Sequence, residues 1–97
     1  MGAYLYIVRC FDDHYYVGTT RGSLETRVNE HNAGKFDGYT SRRRPVALVY
    51  HEWFSDVADA IAMERRVKGW SRAKKEALMR GDFEALKRIA GTNTKRR

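Results

Sequence analysis

A chain of 97 residues, 42% apolar and 32% charged, has room for one domain with a modest core. Its net charge of +7 favours a polyanionic partner, most simply nucleic acid, or else an anionic membrane surface. The single Cys10 excludes an internal disulfide and a cysteine-based metal site, so a reducing compartment is the default. No apolar run approaches the roughly 20 residues of a membrane span. Met1-Gly2-Ala3 leads straight into a strand pattern, so no signal peptide, no membrane partner and a cytoplasmic location are expected.

Ala3 to Thr20 reads as two strands around an Asp12-Asp13 turn. Tyr4, Tyr6 and Val8 alternate with Leu5, Ile7 and Arg9; Tyr16 and Gly18 alternate with Tyr15 and Val17. Ser23 is placed to cap a helix over Leu24 to Asn32, which Gly34 stops. On a 3.6-residue period Leu24, Arg27, Val28 and His31 share one face. Two of these four inward positions carry a cation and an imidazole, so the face is expected to border a polar cleft.

Lys35 to Pro45 reads as a loop, with Arg42, Arg43 and Arg44 forming a local positive site. Val46 to Trp53 predicts a third strand; its lack of clean alternation predicts burial on both faces, as in a central strand. Ser55 or Asp56 caps a helix from about Val57 to Lys68, with Val57, Ala60, Ile61 and Glu64 as its inward stripe. Here a carboxylate takes a position that a core would fill with Leu. Ser71 caps a short basic helix over Arg72 to Met79, and Asp82 caps a last one over Phe83 to Ala90, anchored by Phe83, Leu86 and Ile89 or Ala90. Residues 1–90 are read as one domain and 91–97 as a basic tail, expected to be disordered. The order predicts an α+β fold with a small three-stranded antiparallel sheet flanked by helices.

Tyr6, Tyr16, Arg27, His31 and Glu64 thus fall on inferred inward faces. Each has a plain structural explanation: wet core phenols, a snorkelling Arg and His, or a Glu64–Arg27 ion pair. Together they match phosphodiester hydrolysis, which needs a cation on a phosphate oxygen, a hard metal and a base for water. Arg27 supplies a planar fork and Glu64 an oxygen ligand suited to Mg²⁺. Tyr6 would serve as base if a nearby cation lowered its pKa.

At these residues the chain resembles the GIY-YIG nucleases. Tyr4-Leu5-Tyr6 matches the first motif and Tyr16-Val17-Gly18 the second, with Arg27, His31 and Glu64 following in order across Ala3 to Ser71. Val67 to Leu78 resembles a segment of the small stand-alone bacterial members. The departures are Tyr4 for Gly, Leu5 and Val17 for Ile, and no Asn between Ser71 and Ala90, where several family members carry one; Ser71, Lys74 or Lys75 are the candidates to replace it.

The resemblance implies a three-stranded antiparallel sheet among helices and a Mg²⁺-dependent (or Mn²⁺-dependent) DNA endonuclease, acting on branched or damaged DNA. It implies metal at Glu64, Tyr6 as general base, Arg27 on the scissile phosphate, and Tyr16 and His31 assisting. With no separate DNA-binding domain, contacts to nucleic acid fall to Arg42, Arg43, Arg44, Lys68, Arg72, Lys74 and Lys75. Two alternatives stay open: a nucleic-acid-binding module of the same fold with little or no catalysis, and a protein-interaction domain with a structural ion pair.

Overall fold

A computed structural model describes residues 1–35, 38 and 40–88. The tail at 91–97 and the expected end of the last helix lie outside the described residues. Strands β1 (Ala3–Cys10), β2 (Tyr15–Thr20) and β3 (Val46–Phe54) form one antiparallel sheet in the order β2-β1-β3. Helix α1 (Leu24–Asn32) separates β2 from β3, and α2 (Val57–Lys68) and α3 (Arg72–Arg80) follow. A helical segment, α4, covers 83–88. The α+β architecture is the one expected from the sequence.

Period-two alternation makes β1 a partition between two cores. Leu5 and Ile7 pack with Val17, Val67 and Leu78, so α2 and α3 cover that face. Tyr6, Val8 and Cys10 pack with Val46, Leu24 and Val28, so α1 covers the other. The strand buried on both faces is therefore β1. The expectation for β3 is corrected: it is an edge strand, mostly exposed or half-buried. Its broken alternation comes from a register shift instead. Ile7 opposes Tyr50 while Val8 opposes Leu48, leaving Val49 as an extra residue.

The caps follow the sequence. Ser23, Asp56 and Ser71 each accept a hydrogen bond from a first-turn amide, and Gly81 ends α3 at φ 70°. Leu86 packs against the core as expected, but Phe83 does not anchor the last helix: it is 65% exposed, and Ala85 is buried in its place. Ile61 likewise lies at the surface of α2, where Ala60 and Val67 are buried.

At its other end α1 is tied to the sheet by its last side chain. Asn32 Nδ2 donates to the Val46 carbonyl at 3.1 Å, and the Val46 amide donates to Asn32 Oδ1 at 2.7 Å. The amide side chain thus behaves as one more rung beside the edge strand. Asn32→Ala removes both bonds and leaves the Val46 groups unpaired, so it should cost about 1 to 2 kcal/mol in urea unfolding. Asn32→Asp, which keeps the acceptor for the Val46 amide but sets a carboxylate oxygen against the Val46 carbonyl, should not cost less.

Candidate active site

Tyr6 lies at the centre of β1 and is only 2% exposed. Its hydroxyl meets His31 Nε2 of α1 at 2.9 Å, and His31 Nδ1 meets Thr40 Oγ1 at 2.8 Å. All three residues are buried, so each bond matters more than it would in water. A neutral imidazole makes one of these bonds as donor and the other as acceptor, so the direction of one fixes the other.

The strand register explains how the phenol reaches this position. Tyr6 pairs with Gly18 across the hairpin. A Cβ at Gly18 would stand 2.6 Å from the Tyr6 hydroxyl oxygen and 3.1 Å from the Tyr16 ring. The glycine is therefore required by the approach of a side chain. Tyr16 lies on the same face, its ring centroid 6.4 Å from that of Tyr6 and 5.3 Å from that of His31.

Two charges frame this aromatic group. Arg27, one turn before His31 on α1, lines a cleft of about 450 Å³ together with Thr20, Gly22, Glu30 and Ile61. Its side chain is 29% exposed and forms a long pair with Glu30 at 3.9 Å. Glu64, one turn beyond Ile61 on α2, is 18% exposed and pairs with Lys68 at 2.7 Å. Arg27 and Glu64 both lie within electrostatic range of the Tyr6 hydroxyl, but of the five residues singled out in the sequence Arg27 lines the cleft, whereas Tyr6, Tyr16, His31 and Glu64 are not among its lining residues.

The ionisation expected for Tyr6 is reversed. Burial, then the neighbouring Tyr16, hold its pKa well above the ordinary tyrosine value, and Arg27 offsets only part of this. In the free protein the phenol is a hydrogen-bond donor in waiting, not a ready base. His31 moves the other way: burial first, then Arg27, push its pKa below the ordinary histidine value, so the ring is neutral at pH 7.

The residues expected to contact nucleic acid come from the loop before β3, the end of α2 and the start of α3. Arg43 pairs with Asp12 at 3.1 Å, and Arg44 donates to the carbonyls of Asn32 and Ser41 beyond the end of α1. Arg42 is exposed beside Ser41 and Pro45. Arg72 lies over the Tyr15 ring at 4.4 Å and donates to Glu76 and to the Asp13 carbonyl, and Lys74 lies over Trp70 at 4.3 Å. Lys68 and Lys75 face a common cavity. Sequence reasoning missed Thr40, a buried partner of His31 delivered by a loop, and the Glu64–Lys68 pair, which an i, i+4 acid–base spacing would have suggested.

The three-stranded sheet and its paired tyrosines define a GIY-YIG catalytic domain: the family model of that description matches residues 2–77, and the chain belongs to that family. Its similar relatives are small UPF0213 proteins. One from Staphylococcus haemolyticus is 47% identical over 72 residues, covering 74% of this chain and 87% of the relative. One from Haloquadratum walsbyi is 44% identical over 75 residues, covering 77% and 83%. Among solved structures, a UPF0213 protein from Bacillus halodurans has 36% identity and a TM-score of 0.54, covering 88% of this chain and 93% of that one. A protein from E. faecalis has 32% identity and a TM-score of 0.58, covering 84% and 85%.

Two measurements check the site as a structure. Gly18→Ala should displace the Tyr6 hydroxyl and destabilise the fold by about 1 to 3 kcal/mol, with the His31 ring signals shifting in NMR spectra. The depressed pKa of His31 means the unfolded chain binds its proton more readily. That contribution to stability is complete above the unfolded value of about 6.5 and is lost as pH falls through the folded value. Urea midpoints measured from pH 7.5 downward should therefore decline in wild type, and His31→Gln should flatten that decline.

Proposed function

We propose that this chain is a divalent-metal-dependent endonuclease that hydrolyses phosphodiester bonds in DNA, with branched or damaged DNA as its substrates. The observation that supports this reading is the buried Tyr6–His31 hydrogen bond, with Arg27 one turn before His31 at the cleft and Glu64 within electrostatic range of the phenol. The family and the net charge of +7 support it.

Arg27 lines the cleft with a planar guanidinium, the group best matched to a phosphate. Glu64 is the candidate ligand for Mg²⁺ or Mn²⁺. Among the described residues no group of three or more His, Cys, Asp and Glu is disposed to hold an ion. A lone carboxylate fits an ion that keeps most of its own waters, as Mg²⁺ does. When bound, such an ion supplies a Lewis acid for the phosphate and leaving oxygen.

Proton transfer is assigned to Tyr6 and His31 acting together. The phenol accepts a proton from the attacking water only as its own proton passes to His31 Nε2, 2.9 Å away. The Nδ1–H then stays donated to Thr40 Oγ1, which fixes the ring through the transfer. The water becomes the attacking hydroxide, and the imidazolium is the net holder of the proton. Tyr16 assists by packing its ring beside those of Tyr6 and His31. His31, expected from the sequence to assist, thus becomes the final proton acceptor.

The nucleic-acid-binding module with weak or no catalysis is the second reading, and one observation favours it: the Lys68 ammonium occupies the Glu64 carboxylate at 2.7 Å. That reading predicts salt-sensitive DNA binding without cutting.

The deciding experiment incubates the protein with branched, nicked and linear DNA in Mg²⁺, Mn²⁺ or EDTA. Cutting should require the metal and fall by about 100-fold or more in Glu64→Gln. The partner released by that substitution, Lys68, is half-exposed, so the variant should keep its stability to within about 1 kcal/mol. Glu64→Gln cutting as fast as wild type would sink the assignment. Because the net base is a histidine of depressed pKa, the cleavage rate should rise with pH through a point below the ordinary value of about 6.5. His31→Ala should abolish that limb along with most of the activity.

A further inference from the structure

A second cavity, of about 380 Å³, opens between β2 and the helices on the α2–α3 side. It is lined by Tyr15, Tyr16 and Val17 of β2, Lys68 of α2 and Lys75 of α3, with no carboxylate in its lining. Tyr16 also touches the candidate active site through His31, so the two sites share a wall.

The cations around this cavity differ in how far they are already used. Arg72 is held by Glu76, the Tyr15 ring and the Asp13 carbonyl, and Lys74 lies on Trp70. The acid that the Tyr15 hydroxyl reaches, Glu76, is matched by Arg72 at 3.1 Å. Lys68 shares its charge with Glu64. Lys75 has no carboxylate partner among the described residues, and α3 carries no acid in its first turn to offset it. Partial burial and the nearby Arg72 both lower its proton affinity, which is the mark of a cation lacking a counter-charge. With Lys68 offset by Glu64, the cavity is left with the uncompensated ammonium of Lys75, which favours an anion there.

We propose that the Lys68–Lys75 cavity is a second phosphate subsite, which holds a phosphodiester group of the bound strand at the opposite end of β2 from Arg27. This rests on the nuclease reading for the identity of the anion. Lys75 supplies a fixed cation, the Tyr16 ring forms the wall towards the cleft, and Lys68 can exchange Glu64 for the phosphate.

The test measures binding of a fluorescent 20-nucleotide DNA, single-stranded and duplex, in EDTA over a salt series, so that no cutting is needed. Lys75→Met should weaken binding about threefold to tenfold at low salt and reduce the log–log salt slope by about 0.7 to 0.9, the signature of one lost phosphate contact. Lys75→Arg should restore both, and Lys87→Met, away from the cavity lining, should change neither by as much. Thermal melts establish that each variant is folded. If folded Lys75→Met binds with the affinity and slope of wild type, the subsite is refuted, whether or not the protein cuts DNA. A further arm substitutes inorganic phosphate for chloride at matched ionic strength. If phosphate alone moves the Lys75 side-chain NMR signals while DNA binding ignores the substitution, the cavity takes small anions and the assignment to a nucleic-acid strand falls.

Discussion

The bond between the Tyr6 hydroxyl and His31 Nε2 joins the central strand to the helix on its α1 side, deep in the protein. It is a polar contact at a place where a small domain would ordinarily put two apolar side chains. Its cost is met only because every polar atom in the line is satisfied, from phenol to imidazole to the Thr40 hydroxyl. The same line fixes where α1 lies on the sheet. That placement in turn fixes Arg27, one turn away, over the cleft. The placement of α1 and the proposed chemistry therefore depend on one bond.

The net charge of +7 is a poor guide to the size of a nucleic-acid surface here. Arg43, Arg44 and Arg72 hold loops and helix ends together, through Asp12, the Asn32 and Ser41 carbonyls, and Asp13 and Glu76 respectively. A guanidinium is well suited to that work, because its planar fork can meet several carbonyls or carboxylates at once. Lysines do different work. The flexible ammonium of Lys68 is paired yet half-exposed, and that of Lys75 faces a cavity. The division between these bonded arginines and the two cavity-facing lysines narrows the surface on which the proposed strand would be held.

Most of the fold could be read from the chain because its signals are local. Ser23, Asp56, Ser71, Gly69 and Gly81 mark helix ends through bonds to neighbouring amides and carbonyls. The inward positions of Arg27, His31 and Glu64 follow from helical period alone. What could not be read depends on distance in three dimensions. An edge strand with an extra residue loses its alternation just as a doubly buried strand does, so Val46 to Phe54 imitated a central strand. The ionisation of Tyr6 depends on burial, which a sequence gives only as a tendency; a nearby cation was foreseen, but the larger desolvation was not. Thr40 comes from a loop with no periodicity, so nothing in the sequence marked it as the partner of His31.

The strand register also explains which letters of the two tyrosine motifs carry the site and which carry the core. Leu5 and Val17 project to the face packed by Val67 and Leu78, where any apolar side chain of similar volume serves. Replacing Ile there alters packing and leaves the chemistry alone. Tyr6, Tyr16 and Gly18 project to the other face, and there the exchange is not free. A phenol must cross to the histidine, and the residue opposite it must have no side chain. Tyr4 lies at the outer end of this face, against the rings of Trp53 and His51 and away from His31, which is why a large residue is accommodated at that position. A two-residue period thus sorts a six-letter motif into a tolerant set facing hydrocarbon and a strict set facing the polar line.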